Sequence, residues 1–189
     1  MPAAGQVIQM QIEVLRLSHR LPRDERISTH VALVARAFGA SKIFYSGQHD
    51  SGLEKSVQRI CDRWGADASP HGSFSISYEK RPIPLIREKK KSGFSIVHLT
   101  MYGIPVQESF KKLRKLKKIL LVVGSEHVPG EVYSLADFNM SVTSQPHSEV
   151  AALAIALDRI FDGKELENIF NGKVHIEPQE CGKKVVKKE

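Results

Sequence analysis

The chain is short of cysteine, of aromatic residues and of long apolar runs, and each shortage narrows what it can be. Its two cysteines, Cys61 and Cys181, lie far apart and form no metal-ligand spacing. A reducing cytoplasm is therefore the expected setting, with a Cys61–Cys181 bridge left open for a hyperthermophile, where intracellular disulfides occur. No apolar run approaches the ~20 residues that cross a membrane. The opening residues, MPAAGQVIQMQIEV, lack the basic-then-apolar order of a secretory signal. His98, His127, His147 and His175 are scattered, and without HxxxH or HExxH no metal is expected. The absence of GxxxxGK[ST], of a GxGxxG around Gly124 and of GxSxG argues against a nucleoside triphosphate, a dinucleotide and a serine hydrolase. Neither an internal repeat nor a low-complexity segment is seen.

What is present fits one domain with a buried core, since 41% of the 189 residues are hydrophobic and 26% are charged. The formal charge of +7 favours a polyanionic partner, because lysine and arginine that neutralise phosphates release counterions.

Strand and helix signals alternate along the chain. Strands are predicted over residues 12–17, 42–45, 74–78, 95–100, 119–123 and 140–143. Helices are predicted from Ser28 or Thr29 to Gly39, over 53–64, over 106–116, over 130–136 and after residue 149. Residues 79–93 read as a basic, irregular and variable segment, broken by Arg81-Pro82-Ile83-Pro84. Residues 176–189 add an edge strand or a loose tail, basic from 179 onward. Such alternation predicts an α/β fold, a parallel sheet flanked by helices on both faces.

Residues 139–161 are the most informative stretch. A short apolar run leads into the polar elbow Ser144-Gln145-Pro146-His147-Ser148-Glu149. A helix then starts abruptly, with Val150, Leu153, Ala154, Leu157, Ile160 and Phe161 on one face and Ala151, Ala152 and Ala156 elsewhere. Periodicity alone also fits an ordinary serine-capped turn. Yet ligands of parallel sheets gather at the carboxyl ends of the strands. Two more such ends, residues 97–103 and 123–129, offer backbone groups beside small or apolar residues, as an adenosine-like ligand needs.

A further cluster runs from Arg16 through Ser18, His19, Arg20, Arg23, Asp24, Glu25 and Arg26 to Thr29 and His30. It suits a phosphodiester backbone gripped by arginines, or a solvated loop whose arginines pair with Asp24 and Glu25. Lysine-rich runs at 87–91 and 111–118 read as solvated faces or phosphate contacts.

The strings RLSHRxxRDxRxxTHVALVARAFGA, VHLTMYG, VVGSEHVPxEVYxLADFN and QPHSEVAALAxxLDR together resemble the archaeal tRNA (cytidine-56) ribose 2'-O-methyltransferase family of the SPOUT superfamily. The resemblance runs from about Val14 to the tail. It implies a C-terminal deep trefoil knot, S-adenosyl-L-methionine as cofactor, tRNA as partner, and a homodimer. By motif match the cofactor contacts Leu99, then Gly124, Ser125, Glu126, His127 and Val128, then Val142, Thr143, Ser144, Gln145, Pro146, His147, Ser148 and Glu149.

Where members often carry GAEKVP and GNQPHSE, this chain has Gly124-Ser125-Glu126-His127-Val128-Pro129 and Thr143-Ser144 before Gln145. At Thr143 and Ser144 it thus lacks the glycine and asparagine of the second motif, which tolerate positive φ. For catalysis the resemblance implies an arginine of the first motif, so Arg20, Arg23 and Arg26 are the candidates, with His30 and then His19 as alternative general bases. Arginine stays protonated, which favours orienting a phosphate and stabilising a developing alkoxide. A non-catalytic RNA-binding protein of the same fold, or a methyltransferase for another RNA site, are the competing readings.

Overall fold

Apolar residues that alternate along the strands sort onto two faces of one sheet. The structure is a computed structural model and describes residues 10–66, 72–124 and 128–188. Its strands and helices alternate in sequence: β1 (Gln11–His19), α1 (Glu25–Ala37), β2 (Lys42–Gly47), α2 (Ser51–Trp64), β3 (Ser75–Tyr78), α3 (Pro82–Lys91), β4 (Ser95–Pro105), α4 (Val106–Leu113), β5 (Lys118–Val123), α5 (Gly130–Leu135), β6 (Phe138–Ser141) and α6 (Glu149–Phe161). The first six strands pair in the order β3-β2-β1-β5-β4-β6, every pairing parallel.

On one face Ile12, Val14, Ile43, Leu121 and Val97 pack with Val31 and Ala35 of α1, Val57 of α2, Val106 of α4 and Leu157 of α6. On the other, Leu15, Phe44, Leu120, Val122 and Ile96 pack with Leu85 and Ile86 of α3 and Val132 of α5. The all-apolar Ile119-Leu120-Leu121-Val122-Val123 run of β5 is buried on both sides, as a central parallel strand requires.

Four expectations are corrected. Residues 82–91 form a helix, because Pro82 and Pro84 fall in its first turn, where the amide hydrogens have no partner to lose. Three of its cations are also paired, Arg87 with Glu131, Lys89 with Glu13 and Lys90 with Asp137. Helix α1 starts one turn earlier than Ser28. That serine is buried inside it, its hydroxyl 2.6 Å from Nδ1 of His19. In α6 the inward stripe takes Ala156 along with Leu153, Leu157 and Ile160. The tail forms its own antiparallel hairpin, β7 (Val174–Glu177) with β8 (Lys184–Lys187), rather than an edge of the main sheet. Cys61 is buried, Cys181 exposed, and both are free thiols.

One crossing positions everything at the carboxyl end of β4. Met140 of β6 aligns with both Leu99 and Ile104 of β4, so the intervening residues bulge away and return. At the return, a Cβ on Gly103 would lie 2.5 Å from the carbonyl carbon of Asn139. Only hydrogen fits there. Gly103→Ala should therefore cost about 2 kcal/mol or more, read from urea unfolding. The control Gly130→Ala, whose Cβ meets nothing within 4 Å, should cost under about 1 kcal/mol.

Candidate active site

The ends of β4 and β5 and the elbow before α6 converge on one cavity of about 420 Å³, within the range of small-molecule sites. Leu99, Val123, Val128, Val142 and Ala152 supply apolar walls. Gly124, Gln145, Pro146, His147 and Glu149 line it beside His98, Thr100, Met101, Tyr102 and Tyr133. Three separated turns thus build one pocket, as the motif match implies. Thr143 and Ser144 belong to the elbow without lining the cavity, and neither has a positive φ. Ser148 caps α6, its Oγ accepting from the Val150 amide at 3.2 Å. Ser125, Glu126 and His127 lie outside the described residues.

A second cavity, of about 350 Å³, shares Gly124, His147 and Glu149 with the first. Its remaining lining is Arg16, Arg20, Arg23, Asp24, Ile27 and Ser148. Arg26 and His30 are not brought there. Because α1 begins at Glu25, they stand one helical turn apart and line a third cavity with Asp50, Leu53 and Ser56. The four catalytic candidates are therefore split two and two. His19 lines none of the three: it is fully buried, between the Ser28 hydroxyl and Asp50 Oδ2 at 3.4 Å.

Arg16 is the buried centre of the arrangement. With 1% of its surface exposed, it donates from Nε (3.0 Å) and Nη2 (2.8 Å) to Oε1 of Glu149, and Asp24 Oδ2 lies 3.7 Å away. Its Nη1 has no hydrogen-bond partner among the described residues. Burial pushes the Glu149 carboxyl up, while the Arg16 guanidinium opposes that shift. Asp24 also accepts from the Arg20 amide at 3.1 Å, tying the arginine loop to the same network.

His98 has an assignable tautomer. Asn139 donates from Nδ2 to the Tyr133 carbonyl at 2.9 Å, which turns its Oδ1 toward His98 Nδ1 at 2.9 Å. The ring proton therefore sits on Nδ1. Nε2 carries a buried lone pair without a partner among the described residues. Burial lowers the His98 pKa, which favours the neutral ring. His98 and Arg16 are polar interruptions of apolar strand runs, which is the signal that marks them. Tyr133, from α5, has no such signal.

A model of the family described as tRNA ribose 2'-O-methyltransferase, aTrm56, matches residues 71–186. The chain is 50% identical over 184 residues to the tRNA (cytidine(56)-2'-O)-methyltransferase of Methanocaldococcus jannaschii, covering 95% of this chain and 98% of that one. It is 48% identical over 187 residues to the enzyme of that name from Thermococcus kodakarensis, covering 96% and 100%. Among solved structures, a putative RNA methyltransferase of the TrmH family from Porphyromonas gingivalis superposes with a TM-score of 0.62 at 17% identity, over 84% of this chain and 62% of that one. The SpoU methyltransferase AviRb from Streptomyces viridochromogenes, in complex with AdoMet, gives 0.54 at 13% identity, over 82% and 58%. At these identities the structures establish a shared fold.

Two measurements check the electrostatics of the site. Removing the carboxylate in Glu149→Ala strands the Arg16 charge, and should cost about 3 kcal/mol or more by chemical denaturation. Burial also depresses the pKa values of His19 and His98 below the ordinary 6.5, so the unfolded chain binds protons that the folded one refuses. Stability should be complete above about pH 6.5 and fall below it, with a slope of at most about 1.4 kcal/mol per pH unit for each histidine. The raised Glu149 and Glu165 carboxyls act in the opposite sense on this limb. Between about pH 7.5 and 5 the urea midpoint of the wild type should therefore fall more steeply than that of His98→Asn, and equal slopes would contradict the assignment.

Proposed function

The chain belongs to the tRNA ribose 2'-O-methyltransferase family, and on that premise we propose that it methylates the ribose 2'-hydroxyl of cytidine 56 in tRNA, with S-adenosyl-L-methionine as donor. The observation that carries this reading is the pair of abutting cavities, one with apolar walls and one lined by arginines, with Gly124, His147 and Glu149 in common.

The residues present fit the cofactor. The first cavity combines apolar walls for an adenine with the polar side chains of Thr100, Tyr133 and Gln145, which can meet the edge of a base. A Cβ at Gly124 would run into the Cγ2 of Val128, so the bare backbone forms part of the wall. Leu99, Gly124, Val128, Val142, Gln145 and Pro146 would hold the cofactor, with Ser125, Glu126, His127, Thr143, Ser144, Ser148 and Glu149 completing the two loops and His147 standing where the two cavities meet. When bound, it supplies a methyl group made electrophilic by a sulfonium. A neutral His98 adds no repulsion to that charge.

Arg20 and Arg23, with Arg16 behind them, would grip an RNA phosphate and so hold the neighbouring ribose against the first cavity. Catalysis on this plan is mostly positioning. Arg26 and His30 would extend the RNA surface along α1 rather than join the reacting groups. The trefoil knot proposed for the SPOUT fold is supported by the passage of Gly103 against the backbone of Asn139 and Met140. A homodimer is supported by the exposed apolar side chains of Tyr102, Ile104 and Ile155. Among the described residues no helix is long and apolar enough to cross a membrane.

Calorimetry with S-adenosyl-L-methionine, followed by incubation with an unmodified tRNA transcript and mapping of the methylated ribose, tests the proposal. Binding heat and a methyl group at cytidine 56 are expected. No heat would favour a non-catalytic RNA-binding protein, and a methyl group elsewhere would favour another RNA target.

A further inference from the structure

The ribose hydroxyl must lose its proton as it is methylated, and the arginines beside it cannot take one. The acceptor has to sit where the two cavities meet. Three residues line both: Gly124, His147 and Glu149. Glycine has no side chain, and Glu149 is the ion-pair partner of buried Arg16, so taking a proton would leave that charge uncompensated. His147 is exposed, and its Nδ1 lies 3.1 Å from the carbonyl oxygen of Ser148. A carbonyl oxygen only accepts, so Nδ1 is the donor and Nε2 carries the ring's lone pair.

The other candidates are worse placed. His19 is fully buried, its Nδ1 against the Ser28 hydroxyl and its Nε2 facing Asp50, and His30 lines the third cavity. His98 reaches the first cavity only, and its Nε2 is shut off from solvent. Asp24 is buried and holds the Arg20 amide.

We propose that His147 is the general base of the methyl transfer, a role that rests on the function proposed above. Its Nε2 takes the proton from the 2'-hydroxyl as the oxygen–carbon bond forms. The carbon–sulfur bond breaks with its electron pair left on sulfur. The products are the 2'-O-methyl ribose, a neutral thioether and an imidazolium, which returns its proton to solvent. The charged and titratable groups facing His147 are Glu149 of α6, Arg16 of β1, Arg20, Arg23 and Asp24 of the loop after it, His98 and Tyr102 of β4, and Tyr133 of α5.

The test is single-turnover methyl transfer to an unmodified tRNA transcript at saturating S-adenosyl-L-methionine, from pH 5 to 9. The wild-type rate should fall about tenfold per pH unit on the acid side of neutrality. His147→Ala and His147→Gln should lose about 10²- to 10⁴-fold and that acid limb together, while cofactor affinity by calorimetry changes less than about threefold. Either variant keeping the wild-type rate and pH profile would overturn the assignment. So would a variant whose rate recovers at saturating cofactor after a large loss of affinity, since His147 would then be a binding residue. If the wild-type protein binds no cofactor and transfers no methyl group, the functional reading itself fails, which the calorimetry shows separately.

Discussion

The Arg16–Glu149 ion pair is the constraint on which the site depends. Arg16 stands near the end of β1, a strand paired on both sides, and Glu149 opens α6, 133 residues later. Neither charge could be buried alone, because desolvation of a lone ion costs several kcal/mol. Together they fix the start of α6 against the carboxyl end of the sheet. That anchors the elbow which walls both cavities. The carboxylate also lies at the positive end of the α6 dipole, which adds a modest favourable contribution.

The same pair solves an electrostatic problem. A sulfonium ligand and an arginine cluster repel one another, yet an RNA methyltransferase needs both within reach of one ribose. Here Glu149 faces both cavities and offsets Arg16 at the partition between them. In the wall of the first cavity the other imidazole, His98, has its pKa lowered by burial, which disfavours a second positive charge there. Positive charge is thereby concentrated in the loop carrying Arg20 and Arg23, where a phosphate would sit. Opposite charges a few ångströms apart in a partly buried site interact by several kcal/mol at an effective dielectric near 20, so such a partition is energetically meaningful.

Much of this was legible in the sequence, for identifiable reasons. The parallel sheet follows from strand–helix alternation, and the double burial of β5 from five consecutive apolar residues. The three cavity-forming turns follow from the rule that ligands gather at strand ends, reinforced by the motifs. The errors have equally physical origins. Pro82 and Pro84 suggested a broken segment, but a proline in the first turn of a helix loses nothing. Ser28 resembled an N-cap, whereas its hydroxyl serves buried His19 one turn inside α1. Moving that helix start moved Arg26 and His30 onto a face the motif alone could not assign. Contacts between distant elements, such as Arg16 with Glu149 or Tyr133 with the cavity, leave no local pattern at all.

The division of labour among the basic residues follows from that geometry. A guanidinium holds its proton and its planar fork, which suits phosphate recognition and disqualifies it as a base. An imidazole with one nitrogen tied to a carbonyl has a defined lone pair on the other, which suits proton transfer and gives no fixed positive charge beside a sulfonium. The first-motif loop supplies the former and the elbow the latter. Because the elbow also walls the first cavity, the residue proposed to take the proton is placed by the same backbone that would place the methyl donor. Positioning and proton transfer then depend on a single loop, anchored by a single buried ion pair. Weakening that anchor would displace both functions together, whereas altering the imidazole alone would leave the first intact.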